Sequence, residues 1–102
     1  MENIAILTTD AEVAELAGQL EAEMAIAVDL EADSLHDYRD KICLMQISTR
    51  QRTVLVDTLT ATDLVPLQAV FADRAIRKIF HAADYDLRSL KRDFDLNVRG
   101  LF

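Results

Sequence analysis

Proline and glycine are almost missing from this chain, with one Pro and two Gly among 102 residues. That scarcity excludes a disordered or linker-rich chain. There is a single cysteine, Cys43, which excludes an intrachain disulfide framework and a cysteine-rich zinc site. No apolar run approaches the roughly 18 residues of a membrane span, so no membrane partner is expected. Met1-Glu2-Asn3 carries no basic segment leading into a long apolar one, and no secretory signal is expected. These absences together fit a reducing compartment, the cytoplasm. Basic charge is short as well. Eleven Lys and Arg stand against 18 Asp and Glu, a net charge of −7. That argues against gripping nucleic acid by bulk positive charge. It leaves nucleic acid open where metal ions carry the local positive charge.

What the chain does have is a core. Hydrophobic residues make up 51% of it, enough to fill one small domain over residues 1–102 and not two. Ile4-Ala5-Ile6-Leu7-Thr8 reads as a short strand. Thr8, Thr9 and Asp10 offer helix N-caps, and Val13, Leu16, Ala17 and Leu20 then recur at helical spacing to about Glu23. From Ala25 to Glu31 a strand puts Ile26, Val28 and Leu30 on one face and Ala25, Ala27, Asp29 and Glu31 on the other. Residues 33–41 are polar and read as a loop or strand extension. Ile42–Ile47 and Thr53–Asp57 are further strands across a polar turn at Thr49–Arg52.

Beyond them the pattern predicts a helix from about Asp63 to Ala72, with Leu64, Leu67 and Phe71 on one face and Pro66 in its first turn. A strand at Ala75–Phe80 and a helix at Ala83–Phe94 follow, the helix carrying Leu87, Leu90 and Phe94 inward. Val98–Phe102 could begin one more strand. A three-strand antiparallel meander followed by helix-linked strands is an α/β layered fold. It resembles a ribonuclease-H-like mixed sheet with flanking helices, incomplete at the C-terminus.

The chemistry lies in the acids. Burying an unpaired carboxylate is costly, yet Asp29 and Glu31 close a core strand on one face, their Cα atoms roughly 7 Å apart. Either the strand end is solvated, or a divalent cation removes their repulsion and their desolvation cost together. Mg²⁺ and Mn²⁺ take oxygen ligands of this kind. The second stretch is "FHAADYDLRSL", residues 80–90, at a strand-to-helix junction. There Asp84 and Asp86 either complement the helix dipole or contribute ligands, and His81 is either a packed histidine or part of the site. Three carboxylates converging over strand ends would suit two metal ions roughly 3.5–4 Å apart, as used for phosphodiester hydrolysis.

In this order and spacing the sequence resembles the N-terminal part of a ribonuclease D-type exonuclease, in the DEDD superfamily of 3′–5′ exonucleases. Its Asp-x-Glu motif is matched by Asp29-Leu30-Glu31 within "AVDLEADSLHDYRDKICLMQIST". Its His-Ala-x-x-x-Asp motif is matched by His81-Ala82-Ala83-Asp84-Tyr85-Asp86. That register makes Asp86, not Asp84, the ligand.

The resemblance implies two divalent metal ions, Mg²⁺ or Mn²⁺. Asp29 would bridge them, and Glu31 and Asp86 would each complete one side. It implies single-stranded nucleic acid as substrate, RNA rather than DNA, with mononucleotides leaving from the 3′ end. Arg39, Lys41, Arg88 and Lys91 are candidates for backbone contacts and His81 for a substrate contact. A third motif, Tyr-x-x-x-Asp, would supply a fourth carboxylate and a water-orienting tyrosine, and no such motif occurs before Phe102. The chain is therefore expected to be a poor catalyst alone, and to self-associate through apolar surface. Two rival readings stand beside it: an inactive nucleic-acid-binding or scaffold module, and a structure-specific nuclease of the same fold.

Overall fold

In a computed structural model the chain is described over residues 4–33 and 41–102. Strand β1 is Ile4–Leu7, and helix α1 is Asp10–Leu20. Thr9 caps α1: its hydroxyl accepts from the Glu12 amide at 3.2 Å, and the Glu12 carboxylate accepts from the Thr9 amide at 3.1 Å. This reciprocal box satisfies donors that the first turn leaves open. The helix stops at Leu20, short of Glu23. Glu21 and Glu23 would place like charge on the negative end of the helix, and no basic residue stands in the last turn to offset them.

Strands β2 (Ala25–Asp33), β3 (Lys41–Ser48) and β4 (Thr53–Asp57) form the expected antiparallel meander. The tight turn between β3 and β4 closes with the Thr49 amide donating to the Arg52 carbonyl at 2.8 Å. Strand β5 (Arg77–Phe80) lies parallel to β2, and β1 parallel to β4, so the sheet order is β1-β4-β3-β2-β5. Helix α3 (Ala83–Phe94) follows β5 directly. Val13, Leu16 and Leu20 of α1 and Leu90 of α3 join Ile26, Val28, Met45, Ile47, Val54 and Val56 of the sheet in one core. The alternate sheet residues Ile4, Ile6, Ala27, Asp29, Gln46 and Ile79 are exposed, so the carboxylates of β2 stand on the face away from that core.

Three further expectations change on contact with the fold. The helix foreseen over 63–72 is a 3₁₀ turn at Val65–Leu67 running into a single helical turn, α2 (Gln68–Phe71). Pro66 has no amide and disfavours the α region at Val65, although Leu64, Leu67 and Phe71 are buried as anticipated. Strand β5 starts at Arg77 because the Ala75 amide turns to the Asp73 carboxylate at 2.9 Å and the Ile76 amide to the Asp73 carbonyl at 3.1 Å. The strand foreseen at 98–102 is one parallel bridge, Leu101 beside Lys78 on the outer edge of β5. Gly100 serves that approach with φ +76°, and a Cβ there would stand 2.9 Å from the Ile76 carbonyl oxygen.

Candidate active site

Two registers position the acids. Val28 of β2 is level with Phe80 of β5. One residue further along each strand come Asp29 and His81, and α3 begins two residues after His81. In the antiparallel pair Asp29 faces Gln46 and Glu31 faces Leu44. The register slips only beyond Glu31, where Ala32 pairs with Ile42, so alternation holds through Asp29 and Glu31 and keeps both on one exposed face. The Asp29 carboxylate also accepts the Leu30 amide at 3.0 Å.

Asp86 lies in the first turn of α3, its amide donating to the Ala82 carbonyl at 2.9 Å. It is 9% exposed, whereas Asp84, two residues earlier, is exposed. The motif register and the burial therefore select the same aspartate. Burial pushes the Asp86 carboxyl up. The negative charge of Asp29 adds to the rise, and His81 works against it. Asp29 and Asp86 thus lie near enough for their charges to repel, with Asp86 held out of water. A hard divalent cation, which takes carboxylate oxygens, would relieve that repulsion and the desolvation together. The donor chemistry fits such an ion. Among the described residues no three His, Cys, Asp or Glu side chains already stand in a metal-holding group. The fold brings Asp29 and Asp86 together and sets Glu31 beside Asp29 on the strand, without gathering all three.

The basic candidates divide. Arg39 lies outside the described residues, as do His36 and Tyr38. Lys41 opens β3, exposed, and its charge acts on Asp93. Lys91 is ion-paired with Asp95 one turn on along α3, which points it to its own helix. Arg88 and His81 are exposed, and the His81 charge acts on Asp86.

Two polar residues go unmarked by the sequence patterns. Lys78 is fully buried on the core side of β5, its ammonium donating to the Asp73 carbonyl; burial pushes its pKa down and the Asp73 charge opposes the fall. Asp93 is the other. Its side chain is 8% exposed, and its carboxylate accepts the Ile42 amide at 2.8 Å and the Arg92 Nε at 2.7 Å. Burial pushes Asp93 up, but the Arg92 and Ile42 bonds and the Arg92 and Lys41 charges outweigh it and hold the carboxyl below its ordinary value. Its spacing of seven from Asp86, two helical turns, is the signal that could have found it. Cys43 is half-buried, and its thiol donates to the Glu31 carbonyl at 3.4 Å.

A 3′–5′ exonuclease family matches residues 4–102, and the chain belongs to that family. Exosome complex exonuclease RRP6 of Saccharomyces cerevisiae is 44% identical over 95 residues, which are 92% of this chain and 13% of the yeast protein. The catalytic core of RRP6 from Trypanosoma brucei superposes with a TM-score of 0.93 at 38% identity, over 100% of this chain and 29% of that one. Escherichia coli RNase D, an exoribonuclease involved in structured RNA processing, superposes at 0.88 with 32% identity, over 98% of this chain and 27% of that one. Trypanosoma brucei RNase D, at 26% identity, 0.83 and 96% and 36% coverage, was solved in complex with RNA U12. The chain spans 10–14% of the length of the curated relatives it matches. The likeness thus bears out the ribonuclease-H-like mixed sheet and the ribonuclease D-type family.

Proposed function

We propose that this chain supplies the first carboxylates of a 3′–5′ exoribonuclease site, with Asp29, Glu31 and Asp86 as ligands for divalent metal. The observation that carries the reading is buried Asp86 lying within reach of the Asp29 charge, where the β2–β5 pairing ends. When bound, Mg²⁺ or Mn²⁺ would lower the pKa of an attacking water and stabilise the charge on the departing 3′ oxygen. The side chains have their own tasks. Asp29 and Asp86 would supply oxygen donors to such an ion from two different elements, a strand and a helix. Glu31 adds a third donor on the Asp29 face. His81, beside Asp86, and Arg88, on the same helix, offer donors to phosphate or sugar oxygens without reading bases.

RNA is proposed as substrate from two relatives, Escherichia coli RNase D, an exoribonuclease, and Trypanosoma brucei RNase D, solved with RNA. The single cysteine suits a reducing cytoplasm. Exposed Ile4, Ile6 and Ile79 on the open sheet face favour self-association. A second reading, RNA binding without cleavage, takes its support from the pair rather than trio of carboxylates that meet among the described residues. Mn²⁺-dependent release of labelled mononucleotide from 3′-labelled single-stranded RNA separates the two. Slow release of labelled mononucleotide that disappears in Asp29→Asn supports the nuclease. RNA retention with no release in either protein supports the binding module.

A further inference from the structure

Asp93 sits where a carboxylate is unfavourable, in the last turn of α3, against the negative end of the helix dipole. It is buried there all the same, and its partners explain why. Strand β4 ends at Asp57, opposite Leu44, so the peptide groups of β3 before Leu44 have no β4 neighbour. Ile42 is fully buried, and its amide and carbonyl need partners. Thr58, buried just past the end of β4, donates its hydroxyl to the Ile42 carbonyl at 2.9 Å and its amide to the Cys43 carbonyl at 3.3 Å. Asp93 Oδ2 accepts the Ile42 amide at 2.8 Å.

Across the sheet, Glu31 pairs with Leu44 and Ala32 with Ile42, which leaves Cys43 as the extra residue of a bulge. The Cys43 thiol closes that bulge onto the Glu31 carbonyl. The carboxylate of α3 therefore grips the one stretch of β3 whose other side holds Glu31. Asp86 and Asp93 are seven residues apart, two turns along one rigid helix face and roughly 10 Å in rise. The helix is fixed at its start by β5 and at its end by the Asp93–Ile42 bond.

We infer that Asp93 is a positioning residue: through Ile42 and the Cys43 bulge it locks the rotation and height of α3, and so sets Asp86 against Asp29 and Glu31. This rests on the reading of those three carboxylates as metal ligands. Arg92 serves the lock by holding both Asp93 oxygens, Nε to Oδ1 at 2.7 Å and the guanidinium to Oδ2 at 3.1 Å.

The test compares Asp93→Asn, which keeps the reach and one acceptor but loses the charge, with Asp93→Glu, which keeps the charge but lengthens the arm by one methylene. Asp86→Asn is the control for the site itself. Two quantities are read on the whole chain: Mn²⁺ affinity by electron paramagnetic resonance, and metal-free hydrogen exchange of the Ile42 amide. Positioning predicts slow Ile42 exchange and Mn²⁺ affinity within about threefold of the parent for Asp93→Asn. It predicts faster exchange and about tenfold weaker binding for Asp93→Glu. The reverse order would mean that Asp93 acts by charge, and parent-like behaviour of both variants would mean that it positions nothing; either overturns the inference while Asp86→Asn still loses metal. An Asp86→Asn chain that binds Mn²⁺ as the parent does would instead remove the ligand reading, and the inference with it.

Discussion

Val28 and Phe80 are register partners in the parallel β2–β5 pair, so Asp29, still within β2, and His81, just past β5, follow at the same level, and α3 begins two residues after His81. This one register brings two sequence motifs more than 50 residues apart to a common point. It also creates the electrostatic tension of the site, because Asp86 enters a dry position beside the charge of Asp29.

That tension has a sign that can be measured. A carboxyl raised above its unfolded value favours the protonated fold, so its contribution is intact below the unfolded pKa, near 3.8, and is lost as pH rises through the higher folded value. Without metal at pH 7, Asp86→Asn and Asp29→Asn should therefore melt a few degrees above the parent. The gain should vanish below about pH 4, where Asp86 of the parent is protonated too. Thermal scans in a chelator at several pH values check this. A variant less stable than the parent at pH 7 would reveal a structural role for that carboxylate.

Asp93 should act in the opposite sense. Its carboxyl is held low, so its stabilising effect is present above the unfolded pKa and is lost as pH falls through the depressed folded value. Acid unfolding of Asp93→Asn should accordingly be less steep between about pH 4 and pH 2 than that of the parent. Circular dichroism followed through an acid titration would show the difference.

The Thr9 capping box offers a control remote from the carboxylates. Thr9→Ala should cost about 1 kcal/mol and lower Tm by roughly 4–8 °C, with Mn²⁺ affinity unchanged. A change in metal binding would show that α1 is coupled to the site.

Self-association is expected to run through β1 and the open sheet face. Ile6 is 64% exposed on an edge strand without a charged residue, and a charge is the usual protection of such an edge. Ile6→Lys should shift sedimentation toward monomer without lowering Tm by more than about 1–2 °C, as an exposed position away from the core allows. An unchanged distribution would place the contact elsewhere.

Much of the fold is legible in the amino-acid sequence, and the reasons are local. The apolar alternation of β2 from Ala25 to Leu30, the spacing of Val13, Leu16, Ala17 and Leu20, and the run from Ala83 to Phe94 each express a single period that tertiary contacts do not overrule. Pattern and structure part where two signals compete. Pro66 breaks a helical stripe whose burial is nonetheless as expected. Lys78 looks like a surface residue, yet it occupies an inward position between Ile76 and Phe80 because a carbonyl of the preceding turn receives its ammonium. The role of Asp93 depends on where β4 ends, a long-range fact with no local trace. In the site, motif and spacing alone mark Asp29-x-Glu31 and Asp86. What spacing does not show is that Asp86 is buried within reach of the Asp29 charge, or that no three-group cluster forms among the described residues.

The central claim is that Asp29 and Asp86 hold divalent metal, and the most direct test is Mn²⁺ binding by isothermal titration to four chains: the parent, Asp29→Asn, Asp86→Asn and Asp84→Asn. The account predicts that the parent binds, that Asp29→Asn and Asp86→Asn each weaken binding by about tenfold or more, as loss of one charged ligand implies, and that Asp84→Asn matches the parent. Equal affinity in all four chains, or a loss confined to Asp84→Asn, would contradict it.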